Sequence, residues 1–147
     1  MKLNELRDKV HENAKAKGFY KPEESTAVLL RGIEPACSGA KHAFFAQKIA
    51  LIHSELSEAL DADRMNNTTK SKIKNAGYTT SDAGLICSEY FVNNFNNLVK
   101  NTVEDELADV IIRVLDLCGY LEIDIEKHVE MKMRYNKTRE YKHGKNY

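Results

Sequence analysis

The stretch TVEDELADVIIRVLDLCGYL, Thr102 to Leu121, decides the fold. Leu107, Val110, Ile111, Val114, Leu115 and Cys118 recur at three- and four-residue intervals, which puts their side chains on one face of an α-helix. The start is marked as well: Thr102 with Asp105 three residues later fits a variant of the capping box. Glu104, Asp105 and Glu106 fall where the helix dipole favours negative charge, so Glu104 and Asp105 are expected to be structural. Gly119 stands near the expected end, about Tyr120. Glu106 and Asp109 interrupt the apolar stripe three residues apart, with Cβ atoms roughly 5–6 Å from each other and both carboxylates aimed at one spot.

A second pair repeats the device upstream. In IHSELSEALDADR, Ile52 to Arg64, Glu55 and Glu58 are again three apart beside Ile52, Leu56 and Ala59. If the two helices pack face to face, four carboxylates converge, and clustered buried charge of one sign calls for a cation. Glu and Asp oxygens are the ligands that Mg²⁺ takes, usually together with several waters and substrate phosphates. Either pair alone is weak evidence, because acidic residues line most solvated helix faces.

The remaining chain reads as all-α. Its 147 residues suit one domain, and only Pro22 and Pro35 interrupt text rich in Ala, Leu, Glu and Lys. A first helix is predicted over Leu3–Lys17, closed by Gly18, and a shorter one begins near Pro22 and is stopped by Pro35. A long helix follows from about Gly39 to Arg64, its stripe running through Ala43, Phe44, Ala46, Ile49, Ala50, Ile52, Leu56, Ala59 and Leu60. The polar run from Asn66 to Thr80 is predicted to be a loop, with helix resuming over Ser81–Lys100 and a last helix over Asp124–Tyr141.

Composition narrows the function classes. Equal numbers of basic and acidic residues, 22 each, leave no net charge for wholesale binding of nucleic acid. Three cysteines without a C-x-x-C pair fit a reduced, cytoplasmic protein, with Cys118 a small core residue. No apolar run approaches a membrane span, and the first eighteen residues carry no apolar leader region. No Gly-rich phosphate loop of the G-x-x-x-x-G-K-[ST] type is present, and the absence of a paired E-x-x-H motif on the core helices argues against a ferritin-like di-metal oxidoreductase. His53 should point away from the Glu55 pair, whereas His42 stands where it could approach a substrate.

SELSEALDADR followed by the block from Thr102 to Lys145 resembles the MazG-like all-α nucleoside triphosphate pyrophosphohydrolases, whose pattern is E-x-x-E, a spacer, then E-x-x-D. The resemblance covers Gln47–Arg64 and Thr102–Lys145. It implies a helical bundle with four core helices and a Mg²⁺-dependent cleavage of a nucleoside triphosphate to monophosphate and pyrophosphate, with Mn²⁺ a possible substitute. It also implies a homodimer or homotetramer, and it places the metal-ligand and catalytic positions on Glu55, Glu58, Glu106 and Asp109.

Lys132-Met-Arg-Tyr-Asn136-Lys-Thr-Arg139 is similar to the family's K-x-x-x-N-x-x-R segment, which faces the nucleotide. Lys132, Asn136 and Arg139 are spaced to share one helical face, and their cationic and amide groups suit phosphate, sugar or base edges. The spacer Ala59–Asp105 is longer than in compact members and amounts to a polar insertion over about 66–100. Its aromatics Tyr78, Tyr90, Phe91 and Phe95 either stack on a base or pack in the core. A non-catalytic helical interaction or accessory protein is the competing reading, with the acidic pairs as surface decoration.

Overall fold

The computed structural model describes residues 2–20, 34–76 and 91–139, with side chains from residue 42 onward in the second of these segments. Among them there are helices and no strand: α1 (Leu3–Ala16), α2 (Glu34–Arg64), α3 (Thr69–Asn75), α4 (Phe91–Leu98), α5 (Val103–Tyr120) and α6 (Ile125–Lys137). The short helix expected between Pro22 and Pro35, the stretch 81–90, and Tyr78, Tyr90, Cys37, Cys87 and His143 lie outside the described residues or side chains. None of the described helices is long and apolar enough to cross a membrane.

The chain divides into two compact units, Leu30–Val114 and the pair Met1–Leu29 with Leu115–Tyr147. In the second of these, α1 packs on α6. Their first turns are tied reciprocally: Asn4 Nδ2 donates to Asp124 Oδ1 at 2.8 Å, and the Glu126 N–H to Asn4 Oδ1 at 3.3 Å. Asp124 also caps α6 through Lys127 N, and the Asn4 and Lys127 bonds hold its carboxyl below the usual range. Buried Asp116 accepts from Tyr20 Oη at 2.6 Å and sits 3.0 Å from His11 Nδ1, while Tyr20 stacks on Tyr120. A Cβ at Gly119 would stand 2.6 Å from His11 Cβ, so this glycine serves close approach inside α5 instead of ending it. Cys118 is a buried free thiol as expected, pushed up by burial against the opposing pull of Arg7.

Three helices close in the same way. After α1, α2 and α5 the residues Gly18, Asn66 and Glu122 take positive φ, and the next N–H reaches back five residues: Phe19 to Ala14, Asn67 to Ala62, Ile123 to Cys118. This is the Schellman closure. The last turn of α6 tightens instead, with Thr138 N–H and Oγ1 both donating to Tyr135 O. The helix therefore ends at Lys137, and Arg139 stands beyond its cap, contrary to the expected run to Tyr141.

In the unit Leu30–Val114, α2 starts earlier than expected, with Pro35 at its first turn, where a missing N–H costs nothing. The predicted loop from Asn66 contains α3, which packs on α4. Thr68 and Ser71 cap α3 with exchanged backbone-to-hydroxyl bonds of 3.0 and 3.1 Å, and Ile73 anchors it by burial. Thr102, fully buried before α5, bonds Thr69 Oγ1 at 3.1 Å and accepts the Asp105 N–H at 3.3 Å. Thr102→Ala removes a cap and the hydroxyl bond to Thr69, so a loss of about 1–2 kcal/mol is expected in urea unfolding, with Thr102→Ser recovering most of it.

The expected stripe on α2 is only partly covered. Ala59 and Ala62 are buried, whereas Leu56 and Leu60 are 44 and 51 % exposed, as Leu107 and Ile111 of α5 are exposed in the same unit.

Candidate metal centre

Glu106 occupies the first turn of α5, its backbone N–H bonded to Thr102 O, so the Thr102 cap sets where its carboxylate stands. Glu55 and Glu58 project from the last third of α2. One carboxylate oxygen from each of Glu55, Glu58 and Glu106 lies within 4.8 Å of the others, which brings the two distant motifs together. Glu55 and Glu106 are 6 and 5 % exposed, and Glu58 is exposed, so the group is half sunk and opens to water on the Glu58 side. Ser54 Oγ donates to Glu58 Oε1 at 3.2 Å.

Their charges are held at a cost. Two unit charges 4.8 Å apart repel by about 3.5 kcal/mol at an effective dielectric of ~20, and by ~0.9 kcal/mol in bulk water. Burial first, then the carboxylates of Glu58, Asp105, Glu55 and Asp109, hold Glu106 above the ordinary glutamate range. Asp109, not one of the three clustered residues, is raised by burial and by Asp105, Glu55 and Glu58, against the opposing pull of Arg113.

Their acidic neighbours behave differently. Glu104 accepts the Thr69 N–H at 2.9 Å, and Asp105 accepts that of Asn101 at 2.8 Å, so both fasten the start of α5. For Glu104 burial pushes upward. Bonds from the backbone of Thr69 and of Glu104 itself, and from the Thr102 and Thr69 hydroxyls, together outweigh it, and the net shift is down. Adjacent carboxylates thus separate into a hydrogen-bonded structural set and Glu106, which has no hydrogen bond to its carboxylate among the described residues.

A contact not anticipated from the sequence completes the group. Arg113 Nε and Nη2 both bond Glu55 Oε1, at 2.6 and 2.5 Å. The signal was present, since Arg113 follows Asp109 by four residues and Glu106 by seven and so shares their face of α5.

The phosphate-binding candidates belong to the other unit, where Lys132 and Asn136 are exposed on α6 and Arg139 is exposed past its end. Lys132 Nζ stands 5.4 Å over the Tyr135 ring. His53 and His42 are exposed on α2.

The donor set fits a hard divalent cation. At Mg–O distances of about 2.1 Å, adjacent ligand oxygens stand roughly 3.0 Å apart and opposite ones roughly 4.2 Å, so pairs at the 4.8 Å limit close by up to about 1.8 Å around an ion, leaving positions for water and phosphate. Searches of protein-family models, curated proteins and solved structures yield no match to this chain.

Proposed function

We propose that the protein is a Mg²⁺-dependent nucleoside triphosphate pyrophosphohydrolase, releasing the monophosphate and pyrophosphate, built on the four-helix core that its sequence resembles. The observation that carries this reading is the meeting of Glu55, Glu58 and Glu106 around one point, with Glu106 buried and lacking a hydrogen-bond donor to its carboxylate among the described residues. An ionised carboxylate in that state is favoured only when a cation joins it.

Glu55, Glu58 and Glu106, with Asp109 three residues beyond Glu106 on α5, would hold the ion. A divalent ion there would neutralise a polyphosphate and polarise its phosphoryl oxygens as a Lewis acid. In the hydrolysis a water oxygen bonds to phosphorus while the α–β bridging P–O bond breaks. The proton from that water passes to a carboxylate of the cluster that is not committed to the ion. The resemblance alone assigns Lys132, Asn136 and Arg139 to the substrate's phosphates, sugar or base edge. A cytoplasmic role in the nucleotide pool follows from this chemistry, and no nucleic acid or membrane partner is needed.

Exposed Leu56 and Leu60 on α2, with Leu107 and Ile111 on α5, are assigned to a contact between copies in a homodimer or homotetramer. The same exposed leucines also favour the second reading, a non-catalytic helical interaction protein. One assay separates them. Purified protein is incubated with Mg²⁺ and a panel of canonical and modified triphosphates, and monophosphate with equimolar pyrophosphate is the expected product. Orthophosphate alone, or no turnover of any nucleotide, rejects the hydrolase.

A further inference from the structure

One contact holds Glu55 at the cluster. Two N–H groups of the planar Arg113 guanidinium converge on Oε1, while Oε2 keeps no hydrogen bond among the described residues. The Glu55 side chain is 8 % exposed and that of Arg113 38 %, so the guanidinium lies between the buried carboxylate and water. The clustered carboxylates outnumber this one bonded arginine, so the group keeps a net negative charge that a divalent ion offsets.

We propose that Arg113 is a positioning residue of the metal centre: its fork holds Glu55 by one oxygen so that the carboxylate stays turned toward Glu58 and Glu106. The inference rests on the metal-binding reading above and concerns how the ligand is held. Carboxylates that ligate metals are themselves hydrogen-bonded, and losing such a supporting partner typically weakens metal affinity by about 10–100-fold. The guanidinium also blunts the repulsion that the metal-free cluster feels, which is the opposing effect: an arginine that merely stood in for the ion would compete with it. The geometry favours positioning, because both donors share one oxygen and leave the other untouched.

Mn²⁺ titrations followed by electron paramagnetic resonance, on the full chain without nucleotide, test it. Arg113→Met is expected to bind Mn²⁺ about 10-fold or more weakly. Arg113→Lys, which keeps the charge and loses the planar fork, should fall between it and the parent. Circular dichroism checks that each variant is folded. A purely structural role would lower the melting temperature and leave the Mn²⁺ affinity of the folded protein unmoved, overturning the proposal. Tighter binding by Arg113→Met would also overturn it, making Arg113 a competitor of the ion. If Arg113→Met fails to fold, an unchanged affinity in folded Arg113→Lys is enough to reject it. Absence of Mn²⁺ binding by the parent protein rejects the metal centre itself and this inference with it, a result distinct from parent binding with unaffected variants.

Discussion

Glu106→Gln is expected to remove Mg²⁺-dependent triphosphate hydrolysis, by about 10²–10³-fold, while raising the melting temperature of the metal-free protein. The two effects share one origin. Glu106 is 5 % exposed, sits within 4.8 Å of two other carboxylates and has no donor to its oxygens among the described residues. A neutral amide of the same shape removes the repulsion and can donate to Glu55 or Glu58, so the apo fold gains. With about 1 kcal/mol recovered, a rise of roughly 2–4 °C is expected for a chain of this size. Catalysis loses a charged ligand worth several kcal/mol of transition-state stabilisation, at about 1.36 kcal/mol per tenfold. Thermal unfolding in chelator and initial rates with Mg²⁺ measure both. A lower apo melting temperature would mean that the Glu106 carboxylate makes a favourable contact in the resting fold, which the proposed centre does not allow.

What could be read in advance follows from the range of each interaction. Helix α5 was legible because its signals are local: a capping threonine, acids at the positive end and an unbroken apolar spacing. The carboxylate pairs were legible for the same reason, being fixed by helical geometry. That α2 and α5 present them to one point is a contact between Glu55 and residues some fifty positions away, and only the resemblance to a known family anticipated it. Helix α3 was missed because seven residues are too few to show a period, and its stability comes from two hydroxyl caps and one buried isoleucine.

The residues that close α2 and α5 at positive φ are not glycine. Asn66 and Glu122 adopt the left-handed conformation under the demand of the returning chain, which no local signal announces. The stripe on α2 told which side chains share a face; it could not tell whether the face is covered, and Leu56 and Leu60 show that within this chain it is not. The helical spacing that groups Glu106 and Asp109 also places Arg113 one turn beyond Asp109 on the same face. In the folded chain that arginine is the ion-pair partner of Glu55.

Divalent metal is expected to reverse the pH dependence of stability. Glu106 and Asp109 are held above their ordinary values of 4.5 and 3.8, so the folded chain binds their protons more tightly than the unfolded chain does. Below the unfolded values both states are protonated and the pair costs nothing. As pH rises from about 4 through the raised values, the unfolded chain releases its protons first, and apo stability falls until the full cost is present. Glu104 and Asp124 have the opposite sign, but their contribution is present above 4.5 and 3.8 and is lost only as pH falls below those values, so the two windows separate.

A cation binds the ionised carboxylates, and protons compete with it, so its contribution grows as pH rises. At a metal concentration about 100-fold above its dissociation constant the gain is ~2.7 kcal/mol, or roughly 5–10 °C for a protein of this length. Melting temperatures at pH 5 and pH 8, in chelator and in excess Mn²⁺, should therefore show a small metal effect at pH 5 and the full one at pH 8. In Glu106→Gln the Glu106 share of the falling apo limb and most of the metal gain should disappear together, leaving the share of Asp109. A metal shift of equal size at the two pH values would place the bound ion somewhere other than these carboxylates.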